Sequence, residues 1–424
     1  MKISWNNREI FLFLQYFSFF LVFSYYYINV ELIRNGYLER PGMLDVSSTS
    51  VFNFIFFSLI LSFFNRLVKG LKRSVYLLFV FIYIIPLLAI SDSISFSVSV
   101  LFLSFIFCLV LGKKFSFSIS KKITNYKFPN YIKFALIFIT VSSILTISIY
   151  GFNLLSINFE ETYNVRMSNR GKGAGSIGAY LFSFTLYVLC PILISYSVTN
   201  KRKLLFIISV TALVISFFAN ANKITLLILL ISLIVPFLNI NKINNYIGLF
   251  FILLYLTGFF LFGFLQYDLF NFFIGRTFVL PAVSTMFFVE FANNNSYYFF
   301  QDWNFIGGFI SDVFNITEYN ASKTFKIGEV YSKHEGNNFN STIWANGYLD
   351  GGLIVITLFT VIIAKVFKYL CSLCTSSPEI ISYIFILLLL CMNKSMNAIL
   401  LGGGFLFFPL YYYAYKIIRN HTLK

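Results

Sequence analysis

Tyr246-Ile-Gly-Leu-Phe-Phe-Ile-Leu-Leu-Tyr-Leu-Thr-Gly-Phe-Phe-Leu-Phe-Gly-Phe-Leu-Gln266 contains no charged side chain. A helix rises 1.5 Å per residue, so a run of ~20 residues crosses the hydrocarbon of a bilayer. Inside that hydrocarbon only a helix satisfies its own backbone hydrogen bonds, unless strands close into a barrel. A barrel would show short strands of alternating polarity. Here the apolar residues are contiguous, so the stretch reads as a membrane-spanning helix.

The rest of the chain repeats the pattern. Hydrophobic residues make up 58% of the 424 positions and charged residues only 11%, with a mean hydropathy of +0.80. That leaves too little charge to cover a soluble surface of this size. The sequence predicts an all-α polytopic integral membrane protein of about twelve spans. They lie near 10–30, 51–65, 74–91, 95–112, 132–151, 177–198, 204–219, 224–239, 246–266, 351–368, 379–393 and 397–415. The first is long and lacks a small-residue cleavage site, so it reads as a retained span and not a signal peptide. Most of the 57 Phe and 28 Tyr suit lipid-facing and interfacial positions.

Charge orients the spans. With twelve crossings both termini share a side, and that side collects 21 of the 32 basic residues. The cluster Arg66, Lys69, Lys72, Arg73 and the Lys-rich connection 113–131 belong to it. Only Glu9 and Glu379 join them, giving a net +19 against −3 on the opposite face. Basic residues in short loops stay in the cytoplasm, so both termini are expected there. The formal charge of +16 is then a topology signal, and a nucleic-acid partner is not needed to explain it. The five cysteines lie in apolar spans or at a cytoplasmic edge and offer no disulfide framework to the outer loops. Cys371 and Cys374 form a lone CxxC, too few ligands for a zinc site.

Two outer connections are long, about 152–176 and 267–350, and long loops in compact proteins are usually functional. The larger is too aromatic to read as disordered. It is expected to form short amphipathic helices on the outer surface, with Thr277–Phe291 dipping into the bilayer. The shorter ends in Arg166-Met-Ser-Asn-Arg170-Gly-Lys172-Gly-Ala-Gly-Ser-Ile-Gly178. Its glycines match GxGxxG, but no strand precedes them, which excludes a dinucleotide fold. A glycine-rich turn opening a helix still exposes backbone N–H groups at the positive end of the helix dipole. Arg166, Arg170 and Lys172 sit where basic residues should be scarce, so the segment suits phosphate or pyrophosphate. The alternative is a solvated turn whose charges meet lipid headgroups. Lys223, after Asn220-Ala-Asn222, is on the same face and either joins that anion site or snorkels to the interface.

The larger loop starts at Arg276 and ends in His334-Glu-Gly-Asn-Asn-Phe-Asn340-Ser-Thr-Ile-Trp344-Ala-Asn-Gly-Tyr348-Leu-Asp-Gly-Gly352. Either His334 or Glu335 could accept a proton. Asn340 and its neighbours offer donors and acceptors, while Trp344 and Tyr348 offer flat apolar faces. That mixture suits a sugar; the alternative is an ordinary polar loop. The Asn-x-Ser/Thr matches at Asn315, Asn320 and Asn340 matter only in a eukaryote. No His, Cys or carboxylate cluster has metal-ligand spacing. The spans carry almost no titratable residues, which argues against an ion-coupled pump.

Arg166–Gly178 before a span, Asn222-Lys223 opening another, Arg276 at the start of the long loop and Asn340–Gly352 at its exit together resemble the O-antigen polymerase family. The resemblance covers nearly the whole chain as architecture. The sequence departs from it at Gly351-Gly352, followed by Leu-Ile-Val. It also lacks the Arg-x10-Gly pattern, since Ile177 and Phe287 occupy the glycine positions counted from Arg166 and Arg276.

The resemblance implies a GT-C-like membrane glycosyltransferase of the bacterial inner membrane, acting in lipopolysaccharide synthesis. Its substrate would be an undecaprenyl-pyrophosphate-linked oligosaccharide, elongated at the periplasmic face. Arg166, Arg170, Lys172 and Arg276 would hold the pyrophosphate and His334 or Glu335 would act as base. Neither a cofactor nor a metal would be required. Membrane lipid and a chain-length regulator protein are the expected partners. The rival readings are an O-antigen ligase, which shares the loop layout, and a flippase or transporter of the lipid-linked unit. Transporters favour short outer loops and internal repeats, and neither is found here.

Overall fold

The computed structural model describes residues 7–28, 48–91, 93–112, 129–151, 169, 177–220, 224–265, 274–294, 297–298, 300, 342–374 and 380–401. Every regular element among them is a helix. In chain order these are α1 (Asn7–Tyr26), α2 (Ser48–Phe64), α3 (Leu71–Ile90), α4 (Ile94–Gly112), α5 (Pro129–Tyr150), α6 (Gly178–Thr199) and α7 (Lys203–Asn220). There follow α8 (Ile224–Ile234), α9 (Ile240–Leu265), α10 (Leu280–Asn294), α11 (Ile343–Leu373), α12 (Ile380–Asn393) and α13 (Met396–Leu401).

Six of these helices (α1, α3, α4, α6, α9 and α11) are long and apolar enough to cross a membrane. Shorter apolar helices occupy α2, α5, α7, α8 and α12. The protein is thus a helical membrane protein. Large apolar side chains such as Phe52, Phe264 and Ile354 point outward on these helices, more than two-thirds exposed. Such faces suit lipid and would be a liability in water.

The chain divides into two compact units. In the first, Met1–Phe115 joins Asn239–Lys368 and Cys391–Met396. Its core is aromatic: Phe19 of α1 lies against Phe81 of α3 and against Phe251 and Tyr255 of α9. Lipid tails are as apolar as these rings, so close packing, and not the hydrophobic effect, holds spans together. Gly248 lets α1 and α9 approach. A Cβ there would strike Gln15 Oε1 and the Phe81 ring. Gln15 Nε2 in turn donates to the Asn245 carbonyl.

The second unit comprises Ser116–Leu238, Tyr369–Leu390 and Asn397–Lys424. In it α6 packs on α5, α7 and α8. Buried Ser195 of α6 reaches the Ser232 carbonyl on α8 and the hydroxyl of Ser382 on α12.

Among the described residues three five-residue π turns lie within α3, within α6 and just before α10, at Val80–Ile84, Thr185–Leu189 and Gly275–Val279. All three end two residues before a proline, at Pro86, Pro191 and Pro281. Proline has no N–H and its ring clashes with the carbonyl one turn back. Widening the turn relieves both faults, and the residue before each proline donates across five residues: Ile85 to Val80, Cys190 to Thr185, Leu280 to Gly275.

Candidate functional site

The described ends of the large loop fold into the first unit. The loop was expected to form short amphipathic surface helices, with Thr277–Phe291 dipping into the bilayer. α10, which holds most of that segment, is not amphipathic but buried on most sides, from Pro281 to Ala292. Its starting turn packs against the wide turn of α3, and Phe278 sits edge-on to Phe251, halfway along α9. Arg276 was expected at the outer edge. Its backbone lies in that turn, level with the middle of α3 and α9.

α11 begins at Ile343, eight residues before the span expected at 351, and breaks at Gly351-Gly352. Gly352 adopts φ 62°, ψ −146°, a conformation open essentially to glycine alone. The eight residues before the break fold back along the helix after it. Trp344 Nε1 donates to Thr360 Oγ1 at 3.1 Å. Gly347 faces Phe359 so closely that a Cβ would come within 2.9 Å of the ring. This is a helical hairpin whose first arm starts deep among the spans. Non-helical backbone at such depth is tolerated where protein or a cavity surrounds it.

At the deep end Thr342 caps the first arm, its Oγ1 accepting from Ala345 N at 2.8 Å. The same hydroxyl lies 3.3 Å from Tyr83 Oη and 3.2 Å from Thr285 Oγ1, and Tyr83 and Thr285 are 3.0 Å apart. Three buried hydroxyls thus join the hairpin, α10 and the wide turn of α3. At the other end Tyr348 Oη donates to Asn293 Oδ1 at 3.0 Å, and Tyr298 N donates to the Leu349 carbonyl at 2.9 Å. Phe300 N donates to the buried Asp350 carboxylate at 3.2 Å.

Trp344 was expected to offer a flat face to a sugar. It is 1% exposed, with rings of Phe79 and Tyr83 about 5 Å from its own. Its faces are already taken, and its role is to lock the hairpin. Tyr348 is half-buried at the other end of the arm.

In the second unit one described residue of the shorter loop carries information. Asn169 is buried, and its Nδ2 donates to the Ala219 carbonyl at 2.8 Å. Asn169 precedes Arg170, and Ala219 stands four positions before Lys223. The bond therefore ties Asn169 to the end of α7, where the sequence Asn220-Ala-Asn222-Lys223 begins. Arg166, Arg170, Lys172, Lys223, His334, Glu335 and Asn340 themselves lie outside the described residues, as does the side chain of Arg276. Among the described residues no group of three or more His, Cys, Asp or Glu side chains is placed to hold a metal ion.

Sequence reasoning missed Asn169, Tyr83 and Thr285, and read Thr342 only as one of the donors and acceptors beside Asn340. Pro86 and Pro281 were the available signals, since prolines in apolar helices mark wide turns that crowd together. No protein-family model, curated protein or solved structure matches the chain.

Proposed function

We propose that the chain is a membrane glycosyltransferase of the O-antigen polymerase type, with about twelve spans and both termini in the cytoplasm. It elongates undecaprenyl-pyrophosphate-linked repeat units at the periplasmic face of a bacterial inner membrane. The observation that carries this reading is the Asn169–Ala219 bond. It joins Asn169, which stands between Arg166 and Lys172 in sequence, to Ala219, four positions before Lys223; positive-inside topology would keep such basic residues off the outer face.

In the reaction a sugar hydroxyl of one lipid-linked unit attacks the anomeric carbon of another. The bond from that carbon to the pyrophosphate oxygen breaks, and the leaving group departs with its electron pair. Arg166, Arg170 and Lys172, with Lys223, stabilise the charge gathering on the pyrophosphate. Arg276 is the further basic residue that the sequence assigns to this role. His334 or Glu335 takes the proton from the attacking hydroxyl.

The test is a gel profile of lipopolysaccharide from a host lacking the gene, with and without its restoration. Loss leaving lipid A-core capped by one repeat, and restoration rebuilding the ladder, is the expected result. Bare core with no single-repeat band would place the protein at flipping or ligation instead.

A further inference from the structure

The cluster Arg66, Lys69, Lys72, Arg73 serves in the sequence only to orient the spans. In the first unit Arg66, Lys69 and Arg73 join Arg8 around a cavity of about 400 Å3 at the adjoining ends of α1, α2 and α3. Asn244 of α9 fixes the cavity wall. Its Nδ2 donates to the Gly70 carbonyl at 3.1 Å and its Oδ1 accepts from Ser74 Oγ at 2.6 Å.

Among the described residues Glu9 is the one carboxylate lining this cavity, and it is paired with Arg66 at 2.8 Å. Arg8, Lys69 and Arg73 have no ion-pair partner among the described residues. The inner wall holds three buried polar atoms without a hydrogen-bond partner: the donors Arg73 Nε and Ser62 Oγ, and the acceptor Asn65 Oδ1. Ser62 and Asn65 are each 3% exposed. A buried polar group left unmatched carries its desolvation penalty uncompensated, so three in one cavity call for an occupant. Water would satisfy the hydrogen bonds but not three cations. A phosphate ester meets both demands, with oxygens for Arg73 and Ser62, charge for the cations, and an attached hydroxyl or amine for Asn65.

The rim indicates where such a phosphate comes from. Phe63 and Leu67 stand exposed beside the cavity, and the Arg66 guanidinium sits 6.0 Å above the Phe63 ring. Apolar side chains next to a cationic cavity suit a molecule with a charged head and fatty tails. We infer that this cavity binds the phosphate of an anionic membrane lipid and so fixes the adjoining ends of α1, α2 and α3. The site is independent of the glycosyl-transfer reading, and its test measures binding, not turnover.

Purified full-length protein in a neutral detergent is titrated with phosphatidylglycerol or phosphatidylcholine, and retained lipid is counted by native mass spectrometry. The wild type should keep one tightly held phosphatidylglycerol and no phosphatidylcholine. Arg8→Gln with Lys69→Gln should weaken that binding about tenfold, and Arg73→Gln should weaken it by at least as much. Arg8 and Lys69 are exposed, so their replacement spares the packing even if Arg73→Gln does not fold. Lys201→Gln with Lys203→Gln, exposed basic residues of the other unit, should change nothing. Equal retention by wild type and the Arg8/Lys69 variant would overturn the site, as would equal retention of the two lipids. Thermal stabilisation by inorganic phosphate with no lipid retained would overturn the lipid as occupant.

Discussion

Trp344 and Thr360 are hydrogen-bonded at 3.1 Å although the chain between them reverses direction at Gly351-Gly352. The bond, from an indole on one arm of the hairpin to a hydroxyl on the other, fixes how deep the first arm reaches. Around it the exit of the long loop becomes part of the core.

Gly352 should be the most sensitive point of the hairpin. Its φ of 62° with ψ −146° costs a side-chain-bearing residue about 1–3 kcal/mol. A Cβ would also meet Tyr297 Oη at 2.9 Å. Gly351 has an extended φ that any residue adopts, so a side chain there strains no backbone, although its Cβ would crowd Val355 Cγ2 at 2.6 Å. Gly352→Ala should lower the melting midpoint in detergent clearly more than Gly351→Ala does. Equal losses would mean that the backbone conformation is not what holds the turn.

Trp344 separates a structural role from a sugar-binding one. If it locks the hairpin, Trp344→Phe keeps most of the packing against Phe79 and Tyr83 and loses one hydrogen bond, about 1 kcal/mol. Thr360 keeps its own bond to the Ile356 carbonyl. Trp344→Ala should cost about 3–5 kcal/mol. The lipopolysaccharide ladder should therefore survive Trp344→Phe and fail in Trp344→Ala together with protein yield. Loss of the ladder in a Trp344→Phe protein of normal yield and stability would restore the sugar platform.

What the sequence showed and what it hid follow from different physics. Uninterrupted apolar runs such as Tyr246–Gln266 show directly, because hydrocarbon penalises every interruption. The start of α11 did not show. Asn340–Asp350 is polar enough to read as loop, and only Ile343, Trp344, Leu349 and the Gly351-Gly352 pair that follows hint that Thr342–Asp350 turns inward. The burial of α10 was partly visible in its apolar composition, but nothing in Gly275-Arg276 announces how deep the helix begins. The tie from Asn169 to Ala219 links residues fifty positions apart. No local pattern could reveal it.

Gly248 and Gly263 lie on the same helix and offer an internal control. A side chain at Gly248 would strike Gln15 and Phe81, whereas at Gly263 nothing lies within 4 Å. Gly248→Leu should pry α1 from α9 and reduce the yield of folded protein. Gly263→Leu should be silent, or slightly stabilising through helix propensity. The check is monodispersity and melting of the two variants on detergent size exclusion; comparable damage from both would mean that close approach at Gly248 is not needed.

Asn169 and Arg170 should fail in different ways. Arg170 is assigned to the pyrophosphate itself, so Arg170→Ala should abolish the ladder while leaving the protein inserted and stable; Arg166→Ala and Arg276→Ala should do the same. Asn169 acts through position. Its loss removes the bond to the Ala219 carbonyl, about 1 kcal/mol, and frees the basic segment from the end of α7. Asn169→Ala should therefore shorten or thin the ladder about fivefold and recover in part at higher substrate supply, as a binding defect does. Arg170→Ala should not recover. Full ladders in all three arginine variants would remove the pyrophosphate site. A normal ladder in Asn169→Ala alone would leave the site but show that the tie does not position it.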